Sequence, residues 1–293
     1  MKKSHFFMTI ECRNCNPNGD PLNGNRPRMD SMGHALMTPV CLNHKVRVAA
    51  EQLGQRIYIT TSDDDGYNCL NDRALGVCPN YQKEKKQDLV AANKKMTEQM
   101  NKAFWDCRLF GFLVPSANNS ERRAVSIGMA RTVDPVVVRD VQITKCVGLE
   151  APKSVEKKKA NGDGEGEYGT TRSSDTMGSF SVVEFGLMVV HGEVCPELAA
   201  KYGVTEKDIE ALKESLLRMF EFDNSLVRPA GSMLVRNLFW LEEDGTRRVS
   251  DAKTHDAFHV MLKTGVAEAR KYQDYDVWVD KVPGITCVDL ANE

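Results

Sequence analysis

The sequence predicts an α+β fold in which an antiparallel sheet carries helices on one face. Strand-like runs recur around residues 5–12, 56–60, 124–131, 141–147, 180–190, 233–241, 276–279 and 285–289. Three longer segments, near 39–53, 89–104 and 205–220, place apolar residues at helical spacing instead. The order is strand, helix, strand, helix, several strands, helix, strands, which suits helices segregated to one side of an antiparallel sheet.

Residues 5–12 alternate loosely and read as the first strand. The loop from Asn16 to Arg28 follows, and its thirteen residues include two Gly, three Pro and four Asn, which excludes a helix or long strand. Arg26 and Arg28 flank Pro27 at its end, while Gly19 and Gly24 permit close approach of another backbone. That combination suits a polyanion lying against the loop. Thr38 and Pro39 then begin a helix that carries Leu42, Val46, Ala49, Ala50 and Leu53 inward and stops at Gly54. His44, Lys45 and Arg47 lie off this stripe and predict a basic flank beside the loop.

A short strand is expected at 56–60, and an irregular, polar insertion at 61–87. The triplet Asp63-Asp64-Asp65 in it reads as a solvated loop. The next helix presents Leu89, Ala92, Met96, Met100 and Phe104 on one face and leads through Asp106–Gly111 into another strand. In 124–131, Val125, Ile127 and Met129 alternate with Ala124, Ser126, Gly128 and Ala130, so one face is built of small residues alone. Residues 148–178 hold few large apolar side chains and include Lys157-Lys-Lys159 and Gly162-Asp-Gly-Glu-Gly166. They predict a long arm, inserted between two strands, that orders on a partner. Thr205-Glu-Lys-Asp208 is a capping-box-like start to a helix with Ile209, Leu212, Leu216, Met219 and Phe220 inward.

With 293 residues and 41% apolar content the chain can build a sizeable core. No apolar run approaches a membrane span of about 18 residues, and the start lacks a signal-peptide pattern, so a cytoplasmic location is expected. The nine cysteines have no framework spacing and read mostly as buried thiols. The net charge of −2 hides polarity along the chain. Residues 1–56 carry eight Lys/Arg against four Asp/Glu, residues 120–160 nine against five, and residues 193–225 four against eight.

Common enzyme signatures are absent: no phosphate-binding G-x-x-x-x-G-K, no dinucleotide fingerprint, no G-x-S-x-G elbow and no H-E-x-x-H helix. The run Asn14-x-Asn16-x-Asn18-Gly19 imitates a calcium loop, but its twelfth position is Asn25 rather than Glu. His255 and His259, four apart, read as a surface pair. Asp30, directly after the basic loop, could position water or a metal, cap the loop or pair with Arg28. Cys12, Cys15, Cys41 and His44 have zinc-like spacing within each pair.

The run Asn16-Pro-Asn-Gly-Asp-Pro21, then Gly24-Asn-Arg-Pro-Arg28-x-Asp30, Gly33-His34 and Val40-Cys-Leu42-x-x-Lys45-x-Arg47 resembles the backbone subunit of type I CRISPR Cascade complexes, the Cas-seven superfamily, and its type I-C branch most of all. The resemblance continues through Asp106-x-Arg108-x-Phe110-Gly111, Ala130-Arg131-x-Val133-Asp134-Pro135, Thr176-Met177-Gly178, Phe185-Gly186-Leu187, His191-Gly192 and Met219-Phe220-Glu221-x-Asp223. It fades beyond about residue 240. The chain departs from it at Arg123-Ala-Val-Ser126, at Ser179-Phe180-Ser181 and at Asn224, where relatives carry Arg; Arg228 remains.

The resemblance implies one RNA-recognition-motif-like (ferredoxin-like) palm spanning 1–293, with 61–87 as one insertion and 148–178 as a thumb. It implies a non-catalytic subunit without cofactor. Such a subunit oligomerises along guide crRNA, grips its backbone without reading sequence and presents it to target DNA in an R-loop, beside neighbouring copies and other Cascade subunits. Contacts to RNA are then expected at Asn25, Arg26, Arg28, His44, Lys45, Arg47, Arg123, Arg131, Met177, Gly178 and Arg228. Two other readings stay open: an RNA-cleaving, type III-like subunit using Asp30, and a zinc-stabilised scaffold on Cys12, Cys15, Cys41 and His44.

Overall fold

The computed structural model describes residues 1–61, 66–67, 69–114, 117, 119–144, 177–246 and 248–292. Its strands are β1 (Ser4–Cys15), β2 (Gly19–Asp20), β3 (Arg26–Pro27), β4 (Leu36–Met37), β5 (Leu113–Val114), β6 (Asn119–Ser120), β7 (Val125–Ile127), β8 (Ala130–Thr132), β9 (Val138–Thr144), β10 (Met177–Val194), β11 (Met233–Glu243), β12 (Phe258–Leu262), β13 (Tyr275–Val279) and β14 (Ile285–Asp289). Its helices are α1 (Pro39–Gln52), α2 (Leu70–Val77), α3 (Tyr81–Glu84), α4 (Leu89–Ala103), α5 (Trp105–Phe110), α6 (Pro196–Tyr202), α7 (Glu206–Leu217) and α8 (Asp251–Asp256).

The main sheet runs β14-β11-β1-β10-β8-β4, with β7 and β9 also pairing β10, and each of these pairings is antiparallel. β1 sits in the middle: Phe6 faces Gly192 on one side and Trp240 on the other. Alternation sends Phe6, Met8, Ile10 and Cys12 into one core with Leu42, Val46 and Ala50 of α1 and Ile209, Leu212 and Leu216 of α7. Each fully buried Phe, Met, Ile, Leu or Val among them contributes about 1.5–3 kcal/mol. The Phe6 ring stacks on Trp240 with centroids 5.6 Å apart, and a Cβ at Gly192 would fall 1.9 Å from it. Gly192 is therefore required by packing.

The alternate side chains His5, Phe7, Thr9 and Glu11 are buried as well. The C-terminal segment covers them: Phe7 stacks on Phe258 of β12 at 4.7 Å, and Thr9 bonds Asn237, which also accepts from the Tyr272 hydroxyl. The sheet is thus covered on both faces, not on one as the helical pattern suggested. Burial pushes the His191 imidazole on this face down to about 4 and lowers that of His5.

Several elements differ from expectation for local reasons. Residues 56–60 form no strand, because the Tyr58 and Ile59 N–H groups donate to the Asp106 carboxylate rather than to a neighbouring strand. The segment 61–87 is not irregular throughout. α2 and α3 lie within it and, with α4, build a second core of Tyr58, Ala74, Tyr81, Met96, Met100 and Phe104. Asp106–Phe110 is helical, and it leads into the short strand β5 as expected. The run 124–131 breaks at Gly128, whose N–H goes to the His191 carbonyl, and its phase reverses, so that Met129 is exposed and Ala130 buried. No continuous face of small residues results.

The capping box at Thr205 and Asp208 is present. Burial pushes the Asp208 carboxyl up, but hydrogen bonds from Arg108 and Thr205 outweigh this and hold it below the usual range. The Lys157–Lys159 and Gly162–Gly166 runs lie outside the described residues, as does Asp63–Asp65. Their strands bracket them closely: Met177 pairs with Thr144 and Gly178 with Ile143. Thr144 and Met177, the described residues on either side of 145–176, share one rung of that ladder.

Candidate nucleic-acid interface

The Asn/Gly/Pro loop is a self-supporting unit. β2 pairs β3, and Asp20 caps a short 3-10 turn at Pro21–Asn23. Gly24 and Asn25 both take left-handed backbone, φ 57° and 61°, a conformation that glycine and asparagine tolerate best. A Cβ on Gly19 would lie 2.8 Å from Asn25 Oδ1, so glycine is needed there for close approach. The asparagines are structural: Asn16 Nδ2 donates to the Asn25 carbonyl at 2.7 Å, and Asn18 Oδ1 accepts the Thr38 N–H at 3.0 Å.

From this unit Arg26 reaches β9, where its Nη1 donates to both Asp140 oxygens at 2.6 and 2.8 Å. Arg26 first, and then the Ser181 hydroxyl, hold the Asp140 carboxyl below its ordinary range. Arg28 lies 3.4 Å from Asp20. Asp30 accepts the N–H groups of Met32 and His34 at 2.8 and 2.9 Å and Arg131 Nε at 2.8 Å. The His34 N–H above all, then Arg131, pulls its carboxyl down to about 2. Asp30 thus caps the loop and pairs with Arg131 rather than Arg28.

Asp223 gathers a second cluster. It takes Lys45 Nζ and, from Arg228, Nε at 2.8 Å and Nη2 at 3.3 Å, while Arg228 Nη1 donates to the Asn16 carbonyl at 3.3 Å. Lys45 Nζ also lies 5.9 Å from the Phe220 ring centre. Motifs distant in sequence (the loop, α1 and residues 219–228) therefore meet here.

The exposed basic flank expected of α1 is not observed. Lys45 is 2% exposed and Arg47 9%, with Arg47 Nε 2.8 Å from Asp106 Oδ2 and its guanidinium 5.2 Å from the Phe110 ring. The reason is that α1 is enclosed by the sheet, α7 and α5, so positions off its main stripe are inside too. Of the three, only His44 faces outward. Arg123 and Arg131 are exposed, on either side of β7. Met177 and Gly178 open β10, paired with Thr144 and Ile143 of β9.

Sequence reasoning missed three arginines. Arg13 and Arg236 share the buried Glu11 carboxylate, each at 2.5 Å, and Arg139 lies 3.2 Å from Asn14 Oδ1 and 3.6 Å from Glu184. Arg13 and Arg139 line a groove of about 530 Å³ with Asn14, Glu184, Arg270 and Tyr275. The available signal was their place: Arg13 directly precedes the loop, and Arg139 is one residue from the partner of Arg26. Around the loop, exposed guanidinium groups are therefore held by carboxylates. An exposed pair of this kind is worth only about 0–1 kcal/mol, so an incoming phosphate can take the place of the carboxylate and bond the guanidinium fork through two N–H groups.

The zinc-like set is not assembled. Cys12 Sγ donates to the Gly186 carbonyl, Cys15 Sγ to that of Ser232, and His44 points outward. His255 and His259 do not act together either: His259 bonds Asp280 at 2.9 Å and stacks on Trp278, whereas His255 turns to His191. No helix among the described residues is long and apolar enough to cross a membrane.

No curated protein matches the chain. A chain of a solved CRISPR RNA-guided surveillance complex, pre-nicking, is 14% identical with a TM-score of 0.49, over 86% of this chain and 81% of that one. A chain of a second CRISPR RNA-guided surveillance complex is 13% identical with a TM-score of 0.42, over 86% and 79%. Residues 2–280 match the family of CRISPR-associated protein Cas7, and with nearly its whole length inside that match the chain belongs to this family.

Proposed function

We propose that this chain is a non-catalytic backbone subunit that lines up in copies along a guide crRNA, grips its phosphates and leaves its bases to pair with target DNA. Family membership supports the reading, and one observation carries it to the residues. Arg26, Arg131 and Arg139 stand exposed around the Asn/Gly/Pro loop and the base of β9 and β10, each held in place by a carboxylate. Such a surface recognises a backbone by charge and geometry and reads no base edges. Asn25, Arg28, His44, Arg123, Met177 and Gly178 extend it, and Arg228 braces it from beneath. Lys45 and Arg47 act from the interior, by fixing α1 to the 223–228 segment and to α5. The segment 148–178, entering and leaving at the end of this surface, serves as the thumb toward a neighbouring copy, and a type I Cascade of the I-C kind is the assembly it fits.

The first test is to purify the protein with its partner subunits and sequence the nucleic acid that accompanies it. CRISPR repeat and spacer RNA, recovered with a multimer, supports the reading. A monomer that stays free of nucleic acid after guide RNA and partners are added overturns it. The cleaving alternative finds little support, because the oxygens of Asp30 are engaged by two backbone N–H groups and Arg131. Guide RNA cut by the native protein but not by Asp30→Ala would revive it.

A further inference from the structure

On the sheet face away from α1 and α7, three of the six histidines meet. His5 stands on β1 and His191 on β10. His191 pairs with Phe7 across the two strands, which puts it on the face that His5 and Phe7 share. His255 comes from α8. All three can bring one ring nitrogen within 4.8 Å of the others, the only such group of three or more metal-ligating side chains among the described residues. His5 Nδ1 lies 3.2 Å from His191 Nε2, and the His191 and His255 rings have centroids 3.8 Å apart.

A simple N–H···N bond accounts for the first pair, and edge contacts with Phe7 and His5 place the His255 ring, but neither draws the three nitrogens toward one point. One ion accounts for all three. Nitrogens bound tetrahedrally at about 2.0–2.1 Å lie about 3.3 Å from one another, close to the separation found for His5 and His191. The second ring nitrogen of His5 is also provided for, since Nε2 lies 3.4 Å from Asp251 Oδ1. A carboxylate behind a ligating imidazole fixes the ring and raises its basicity. Asp251 itself is anchored by Lys3, which also lies 3.7 Å from Glu193. Phe7 holds the rings, with centroids 5.0 Å from His191 and 5.4 Å from His255. His5 is buried and His255 exposed, so the cluster has a closed back and a solvent side through which an ion could arrive and a water complete its coordination.

We infer that His5, His191 and His255 bind one divalent transition-metal ion of the zinc type, oriented by Asp251, and that the ion clamps α8 onto β1 and β10. This site is independent of the RNA surface. Three imidazoles suit zinc and accept cobalt in its place. The test uses the full chain stripped with a chelator and titrated with zinc chloride or cobalt chloride alone. The expected results are binding of about one ion per chain, a visible tetrahedral cobalt band that zinc abolishes, and slower amide exchange across 251–262 on loading. His255→Gln, at an exposed position the fold does not need, should weaken zinc at least about tenfold, and Asp251→Asn about 10–100-fold. No stoichiometric binding by the folded protein overturns the inference. So does zinc affinity unchanged in His255→Gln, which would place the ion elsewhere.

Discussion

Arg26 ends the glycine-rich loop and Lys45 lies on the helix that follows it, yet the two sit in opposite surroundings. Arg26 is exposed and its pair with Asp140 is cheap to break. Arg26→Ala and Arg131→Ala should each weaken guide binding regardless of sequence and lower the salt slope by about one. Their stability should stay within about 0.5 kcal/mol of the native protein. Lys45→Ala should do the reverse: it strips one cation from the half-buried Asp223 and costs about 3 kcal/mol in denaturant unfolding, with the salt slope unchanged. A flattened slope in Lys45→Ala would put that ammonium on a phosphate after all. Asp30 gives a pH prediction. Its folded carboxyl is depressed, so its contribution is complete above the unfolded value near 4 and is lost as pH falls from there toward 2. A carboxyl titration by NMR should find its midpoint at about 2; an ordinary midpoint would mean that the loop cap does not form.

At the scale of elements, what could be read in advance was what repeats. The stripe of α1, the alternation of β1 and the capping box at Thr205 follow from local sequence, and each is present. What could not be read was tertiary. Nothing near Arg56 says that a carboxylate fifty residues on will take the N–H groups of Tyr58 and Ile59. Nothing near Lys45 says that α7 and α5 will close over its flank. The candidate site was half legible for the same reason: the loop announces itself through Gly, Pro and Asn, while the pairing of Arg26 with Asp140 and the sharing of Glu11 by Arg13 and Arg236 exist only once strands are in register. His191-Gly192 shows how a short motif serves two faces. Gly192→Ala should overpack the Phe6 ring and cost about 1–3 kcal/mol. Adding Phe6→Leu should return part of that loss, a coupling that a double-mutant cycle would read; strict additivity would show that the ring is not the obstacle.

Across the whole molecule, one sheet is sealed by helices on one side and by the C-terminal segment on the other, and Thr144 and Met177, which flank residues 145–176, pair on one rung of it. Deleting 155–172 should therefore leave thermal unfolding nearly unchanged while assembly on guide RNA fails, as read by size in the presence of partner subunits. Normal assembly by the deletion would show that this segment is not the thumb. The central place of β1 has a consequence during synthesis. The strand leaves the ribosome well before its partners, β10 and β11, which end at Val194 and Glu243. At about 5–20 residues per second the apolar run Phe6–Cys12 waits roughly 10–35 s for its first neighbour and roughly 10–45 s for both. Until β10 and β11 have been made, a nascent chain of this protein exposes an extended apolar segment of the kind that chaperones shield.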